Sequence, residues 1–316
     1  MNPSFNDCPL CGSDHSSPFD QRSFRGIPVV NRMCRSCGLV YQSPRMSDQE
    51  LNEFYESEYR QLYQGSQGPD RKDLAVQNGR AAALLNFTCQ YAEKVERHLD
   101  IGCSAGLLLQ NFQKAFACQP VGIEPGTAYR EYSRKQGLVV YASLEELEEA
   151  QPERFDLVSL AHVLEHLPDP VGYLRRLRTQ LLAQNGRLLV EVPNLYAHDC
   201  FEVAHLVSYS AHSLQQVLRK AGFEILALQA HGRPRSHLIP LYLTALAIPA
   251  DSQEDYRLEA ESGVVWKRRL GMLKRWLLTR LQPRRAWIPA AVIDAGRAVS
   301  LPHRNDEADQ RGDSTP

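Results

Sequence analysis

The chain has 316 residues, of which 43% are hydrophobic and 23% are charged, so it is long enough for one large globular domain and a smaller appendage. Its formal net charge is −1, so no overall field points to nucleic acid or to an acidic partner. The N-terminal residues lack the basic region and apolar run of a signal peptide, and the apolar stretch 238–250 is broken by prolines and too short to span a bilayer. These features predict a cytoplasmic chain with reduced cysteines.

The first 45 residues contain two Cys-x-x-Cys pairs, each followed by glycine. Two residues between cysteines allow both thiolates to face one metal ion, and four thiolates close a tetrahedral shell. The pattern predicts a structural zinc site with the ligands Cys8, Cys11, Cys34 and Cys37. The alternatives are four free thiols or a redox pair.

A capping-box pattern predicts a helix over residues 46–63, and a polar, glycine-containing linker follows it. Residues 73–97 have helical periodicity. Short apolar runs then alternate with amphipathic stretches, and this alternation predicts βαβ units around a parallel sheet. The predicted strands are 98–102, 120–125, 138–142, 155–161, 186–193, 223–229 and 238–247, with helices at 211–221 and 264–282.

A glycine loop follows the first of these strands. Gly102 and Gly106 allow the backbone to turn sharply and to approach a ligand at the start of a helix. The loop differs from dinucleotide and phosphate-binding loops, because Asp100 precedes its first glycine and can accept from an amine. Glu124 ends the next strand, where a carboxylate can hold two ribose hydroxyls. The alternative is an ordinary strand–helix turn.

The ordered segments LDIGCSAG, VGIEP, FDLVSLAHVLEHLPDP and NGRLLVEVPN resemble the motifs of class I S-adenosylmethionine-dependent methyltransferases over about residues 74–248. The segments CPLCGS and CRSCGLVYQSPRMSDQELNEFYESEY resemble the zinc-binding head of a subset of these enzymes, many of which act on sugars or other small molecules. The resemblance implies that Asp100 lies near the methionine amine of the cofactor and that Glu124 binds its ribose. The further cofactor contacts that it implies are Gly102, Ser104, Gly106, Ser143 and Ala161.

The resemblance divides the chain into five parts and predicts an α/β fold with a doubly wound, Rossmann-like methyltransferase sheet. The parts are a zinc-binding module (1–45), a helix and linker (46–73), the methyltransferase domain (74–250), a helical extension (251–301) and a disordered tail (302–316).

Methyl transfer to a hydroxyl requires an aligned acceptor and a base. The candidates after the fourth strand of the domain are His162, Glu165 and His166, because strand ends face the ligand crevice of such sheets. For His162, a contact with the cofactor or the core is the favoured alternative. His205 is a second candidate, since related sugar C-methyltransferases have a histidine in this region. Their Tyr-x-Glu-His pattern is not kept here, where Val203 and Ala204 precede the histidine, and this departure favours oxygen over carbon methylation.

The segment 264–287 combines basic residues with apolar positions at helical spacing and contains all three tryptophans. This pattern predicts a basic amphipathic helix that either lies in a membrane interface or packs on the catalytic domain, with a nucleic-acid contact as a third option.

The sequence as a whole favours an S-adenosylmethionine-dependent O-methyltransferase that carries zinc. The expected acceptor is a sugar or other small molecule, in one version a lipid-linked glycan reached at the inner face of the membrane. The alternatives are an RNA methyltransferase that grips the phosphate backbone with the zinc module and the basic helix, and a binding protein that keeps the fold without activity.

Overall fold

The computed structural model describes residues 7–46, 68–150, 152–199, 201–250, 256–289 and 293. The predicted helix at 46–63 and the predicted tail from residue 302 lie outside this part, apart from residue 46. Within it, no helix is both long and apolar enough to cross a membrane.

The N-terminal part is a small antiparallel sheet. Its strands are β1 (Ser16–Phe24), β2 (Ile27–Cys34) and β3 (Val40–Gln42). The turn between β1 and β2 consists of Arg25 and Gly26, both with positive φ, which suits the right-handed twist of a two-residue hairpin. The turns that carry the four cysteines lie at the ends of this sheet.

A seven-stranded sheet forms the centre of the larger part of the chain, and its first five strands are parallel. The parallel strands are β4 (Arg97–Ile101), β5 (Gln119–Ile123), β6 (Val139–Tyr141), β7 (Phe155–Ala161) and β8 (Leu182–Pro193). After the short strand β9 (Val207–Ser208), the chain adds β10 (Phe223–His231) and β11 (Tyr242–Pro249), and β11 runs antiparallel between β8 and β10. The predicted α/β sheet is confirmed.

The strand order is β10-β11-β8-β7-β4-β5-β6. The chain builds outward from β4 to β6 and then returns to β7 on the other side of β4. This reversal opens a crevice at the carboxyl ends of β4 and β7, which is where open α/β sheets bind ligands.

Helices cover both faces of the sheet. They are α1 (Arg71–Thr88), α2 (Leu107–Phe116), α3 (Thr127–Lys135), α4 (Leu144–Glu149), α5 (Pro170–Arg176) and α6 (Ala211–Lys220). A 3-10 turn (Leu164–His166) follows β7, and a π-helical turn (Leu177–Leu181) extends α5. Successive residues of β7 point to opposite faces of the sheet. Leu157 packs with α1 and α2 on one face, and Val158 packs with α5 and α6 on the other.

The two sheets are joined by strand pairing. Strand β9 pairs with β3, so a segment of the larger part completes the N-terminal sheet. The Gln42 side-chain amide lies within hydrogen-bond distance of three carbonyl oxygens in the segment before β9, those of Glu202, Val203 and His205, at 2.6, 3.1 and 2.8 Å. The cysteine-bearing module is therefore built into the body of the protein.

The C-terminal described part is helical. Helix α7 (Val264–Leu281) is followed by the short helix α8 (Pro283–Ala286). Helix α7 lies against the loop 194–199 through hydrogen bonds from two arginines: Arg268 donates to the carbonyls of Leu195 and His198, and Arg275 donates to that of Ala197.

Candidate functional site

The loop after β4 has the backbone that its glycines predicted. Gly102 and Gly106 have φ of 71° and 77°, and Ser104 between them has φ of 50°. A Cβ at Gly102 would approach the Val163 side chain to 2.6 Å, so this position requires glycine for space as well as for conformation. The amides of Gly102 and Cys103 donate to the Ile123 carbonyl, which fixes the loop to the neighbouring strand.

Glu124 closes the loop from the end of β5. Its two carboxylate oxygens accept from the Ser104 and Gly126 amides at 3.0 and 2.7 Å. These bonds fix the orientation of the carboxylate beside the glycine loop. The structure thus brings Glu124 and the glycine loop together, as the sequence predicted.

Asp100 lies at the base of the same loop. Its carboxylate is buried and accepts from the Ser159 hydroxyl at 2.6 Å. Burial raises the pKa of Asp100 to about 7, and the nearby charge of Glu124 adds to this effect. A cationic ligand group beside Asp100 would therefore stabilise its ionised form.

A cleft at the switch point of the sheet contains Asp100 and the glycine loop, and Glu124 lies next to it through its hydrogen bond to Ser104. Helix α1 forms one wall of it with Gln77, Arg80, Ala81 and Leu84, and the opposite wall contains Asp100, Gly102, Ser104, Leu108 and Ala161. The α1 residues were not predicted from sequence. Ser143 lies after β6, where its hydroxyl accepts from the Glu146 amide and caps α4. A wider cleft at the opposite edge of the sheet is lined by residues of 154–184 and 249–250, and it includes none of the predicted site residues.

The three predicted catalytic residues lie together beyond β7. The rings of His166 and His205 meet edge to face with centroids 4.9 Å apart, and the Nε2 atom of His166 lies 4.0 Å from Glu165 Oε1. The Nδ1 atom of His166 lies 2.8 Å from the Ala204 carbonyl, so Nδ1 carries the proton and Nε2 has the lone pair. Burial lowers the pKa of His166 to about 4, which keeps this ring neutral at pH 7.

Glu165 is buried and ionised. Burial alone would raise its pKa, but the hydrogen bond from His162, whose Nδ1 lies 3.1 Å from the carboxylate, and the surrounding histidines lower it to about 2. One ligand atom from each of Glu165, His166 and His205 lies within 4.8 Å of the others, so the cluster could be considered as a metal site. A bound ion would bring such atoms to about 3.4 Å from each other in tetrahedral geometry. In this cluster His166 Nε2 lies 4.0 Å from Glu165 Oε1, and the Nε2 lone pair can accept a proton or bind a metal ion.

A second group of side chains extends this cluster, and His162 is the one member of it that the sequence named as a candidate. Glu191, at the end of β8, is fully buried and lies 2.9 Å from Arg80, 3.4 Å from His162 and 3.1 Å from His231. His162 has φ of 59° and bridges the two carboxylates Glu165 and Glu191. Such strain in a non-glycine residue is typical of functional sites.

The second group is assembled by strand pairing. Register places Glu191 opposite Thr244, and the Thr244 hydroxyl donates to Glu191 at 3.1 Å. The adjacent pairing places His231 opposite Tyr242, whose ring packs edge to face against His162 at 5.2 Å. These contacts join residues from β7, β8, β10 and β11, which no local sequence signal could have connected.

The four predicted zinc ligands converge in the N-terminal module. The Sγ atoms of Cys8 and Cys37 lie 3.6 Å apart, and those of Cys11 and Cys34 lie 3.5 Å apart, with all four within 4.8 Å of one another. Four thiolates around a tetrahedral zinc ion, each at about 2.3 Å from the metal, are separated by about 3.8 Å. The cysteine donor set therefore fits zinc.

The fold and the loop define the class of the protein. A family model described as "Methyltransferase domain" matches residues 74–228, which include the glycine loop, both acids and the catalytic candidates of the 3-10 turn. Residues 74–228 therefore form a methyltransferase domain of class I, the S-adenosylmethionine-dependent type, as the sequence predicted.

Within that class, the chain is similar to ubiquinone biosynthesis O-methyltransferases. That of Hahella chejuensis is 38% identical over 86 residues, which are 25% of this chain and 36% of the relative. That of Rhodopseudomonas palustris (strain BisB5) is 37% identical over 103 residues, which are 31% and 40% of the two chains. The chain thus spans less than half of the length of these relatives.

A solved structure of the same fold is the 1,6-didemethyltoxoflavin-N1-methyltransferase of Burkholderia thailandensis, with its substrate and S-adenosylhomocysteine bound. It is 20% identical, the TM-score is 0.51, and the match covers 67% of this chain and 96% of that chain.

Proposed function

We propose that the chain transfers a methyl group from S-adenosylmethionine to a hydroxyl of a small-molecule acceptor. The observation that carries this proposal is the position of His166 and His205, two imidazoles in contact beyond β7, which itself ends in the cofactor cleft at Ala161. Hydroxyl methylation needs one group that removes a proton, and imidazole suits this role near neutral pH.

S-adenosylmethionine supplies a methyl group that is already activated by the sulfonium, so the remaining work is done by the chain's own residues. Asp100 is proposed to receive the cofactor's ammonium group and Glu124 its ribose hydroxyls. The backbone amides of the glycine loop and Ala161 would contact the rest of the cofactor. The family pattern also suggests a contact from Ser143. The Nε2 lone pair of His166, or the ring of His205, would accept the hydroxyl proton.

Glu165 would stabilise the protonated form of this base. Its carboxylate is held ionised among the histidines, so it would stabilise the imidazolium formed when the proton arrives. Since His162 links Glu165 to Glu191, the second carboxylate would help to fix the orientation of the cluster.

The test measures cofactor binding first and transfer second. Calorimetry with S-adenosylmethionine should show binding by the wild-type chain, and its absence would end the proposal. With labelled cofactor and a panel of nucleotide sugars and catechols, the variant that removes the base, His166→Ala or His205→Ala, should lower kcat by about 100-fold or more, the usual contribution of a general base, with little change in cofactor Kd. The control His15→Ala changes an exposed imidazole in the N-terminal module and should leave both quantities unaltered. Equal transfer by all three variants would remove the histidines from the mechanism.

We propose further that the acceptor is a sugar or a lipid-linked glycan and that the protein acts in the cytoplasm, in peripheral contact with the inner face of a membrane through residues 264–287. Histidines and ionised carboxylates around the acceptor position suit a neutral, hydroxyl-rich substrate. The RNA alternative predicts transfer to total RNA in the same assay.

We propose that Cys8, Cys11, Cys34 and Cys37 hold one structural zinc ion. Elemental analysis should find one zinc per chain, and a folded, metal-free protein would contradict the assignment. Because β3 is paired with β9, chelation should disturb the segment that carries His205 and leave the Asp100–Glu124 loop able to bind the cofactor. Calorimetry after chelation distinguishes these two regions.

A further inference from the structure

Helix α7 has its apolar residues on the outside. Trp266, Leu270, Leu273, Leu277 and Leu281 expose 66, 64, 52, 41 and 74% of their surface, and Trp276 exposes 50%. The first five follow each other at intervals of three or four residues, so they lie within an arc of about 80° on the helix surface. A helix packed on the domain by its apolar face would bury these side chains.

The inner side of α7 explains this orientation. Arg268 is buried and donates to the loop 194–199, and Gly271 is in such close contact with Tyr196 that a Cβ there would collide with the Tyr196 backbone. Val264 is the buried hydrophobic residue at the start of the helix. Arg268, Gly271, Val264 and the partly buried Leu278 thus hold α7 against the body of the protein, while the five residues of the apolar arc and Trp276 face away.

Basic residues border the apolar arc. Lys267 and Lys274 lie on one side of it, and Arg269 and Arg280 lie on the other, all exposed. Lys267 is also ion-paired with Glu261 at 3.0 Å, so the other three residues contribute most of the border charge. Arg269 and Arg280 each lie over an exposed tryptophan ring, with the guanidinium carbon 5.2 Å from the Trp266 centroid and 4.5 Å from the Trp276 centroid. No acidic residue occurs from 263 to 293. An apolar arc between two basic borders matches a helix that lies in the interface of an anionic bilayer.

We propose that the outer face of α7 docks into the headgroup region of a membrane that contains anionic lipids. A second copy of the chain fits this surface poorly, because a two-fold contact would bring the basic borders of both copies together. Nucleic acid would use the arginines and lysines and leave the leucines exposed. A lipid interface uses both the charges and the apolar arc.

Docking by this face also affects the acceptor side of the site, an inference that rests on the proposed function. The loop 194–199 that α7 holds carries His198, whose ring packs on Tyr242 at 5.9 Å between centroids, and Tyr242 contacts His162 and His231. A docked helix would therefore place this cluster close to the lipid surface, within reach of an amphiphilic acceptor.

Tryptophan fluorescence reports on this surface without labelling, because two of the protein's three tryptophans, Trp266 and Trp276, are exposed on α7. The third, Trp287, packs partly buried against the body and supplies a constant background. Vesicles of phosphatidylcholine and phosphatidylglycerol should shift tryptophan emission of the full chain to the blue, and brominated lipid should quench it. Leu270→Asp with Leu277→Asp should weaken vesicle binding by about tenfold or more, since two apolar contacts are replaced by charges of the wrong sign. The matched control Leu226→Asp, at an exposed leucine of β10, should bind like the wild type.

Failure of the full chain to shift or to sediment with anionic vesicles at low salt would overturn the proposal. Equal vesicle binding by the double variant and the wild type would also overturn it. So would a wild-type dimer in sedimentation velocity that is absent from the double variant, if vesicles leave the wild-type emission unchanged. Calorimetry with S-adenosylmethionine on the same preparations separates this proposal from the methyltransferase function, because each can fail while the other holds.

Discussion

Replacement of Glu124 by alanine tests the cofactor site at a carboxylate that bonds two backbone amides. The carboxylate holds the Ser104 and Gly126 amides in the free protein and is proposed to hold the ribose hydroxyls in the complex. Hydrogen bonds to charged groups contribute about 1.5–3 kcal/mol each. In the variant, water would form some of the hydrogen bonds that the carboxylate made. We therefore expect a net loss of about 1–3 kcal/mol of cofactor binding free energy, or an increase of about 5- to 150-fold in Kd.

Two further variants show which part of the carboxylate matters. Glu124→Gln keeps the shape but turns an amide NH2 toward the Ser104 or the Gly126 amide, so it should bind S-adenosylmethionine more weakly than the wild type. Ser143→Ala removes the cap of α4 and tests its proposed cofactor contact separately. Calorimetry gives Kd for each variant, and thermal unfolding verifies that each is folded. If folded Glu124→Ala binds the cofactor within twofold of the wild type, the assignment of the ribose site is wrong.

Three other results are expected. Cofactor affinity should fall by up to tenfold per pH unit below about pH 7, because burial raises the pKa of Asp100 to about 7 and its protonated form cannot pair with an ammonium group. A cofactor Kd that calorimetry finds unchanged from pH 7.5 to 6 would contradict this. Gly102→Ala should destabilise the fold by about 1–3 kcal/mol in urea titrations, because it forces a side chain into positive φ and against Val163, and a loss near zero would remove the steric argument. The free energy of unfolding should fall between pH 6.5 and 4, because burial lowers the pKa of His98 and of His198 to about 3. Each histidine stays neutral in the folded state while it takes up a proton in the unfolded chain. This difference costs about 2 kcal/mol of stability per histidine at pH 5. Equal urea midpoints at pH 7.5 and 5 would exclude this.

Local signals in the sequence predicted the sheet and the cofactor loop. The alternation of short apolar runs with helices gave the strand boundaries to within a few residues, and β7 was predicted at its observed limits, Phe155–Ala161. The loop from Asp100 to Gly106 could be predicted because its chemistry is contained in seven consecutive residues.

The remaining parts depend on contacts between distant segments. The hairpin of β1 and β2 was missed because its strands are half exposed and lack clear alternation, although the Arg25-Gly26 pair is a turn signal that could have indicated it. Arg80, Glu191 and His231 meet only after α1, β8 and β10 have packed. The orientation of α7 was also beyond the sequence, because nothing local shows that Arg268 turns inward.

The contact between Gln42 and the segment that carries His205 has a consequence for engineering. The two modules share one hydrogen-bonded unit, so the N-terminal module cannot be exchanged as an independent cassette. A chimera that takes residues 7–46 from another enzyme must also take residues 201–210, or His205, a proposed base, will lose its matching backbone contacts. For the same reason, substitutions along β3 offer a way to change acceptor preference from outside the cleft, without altering any residue that faces the cofactor.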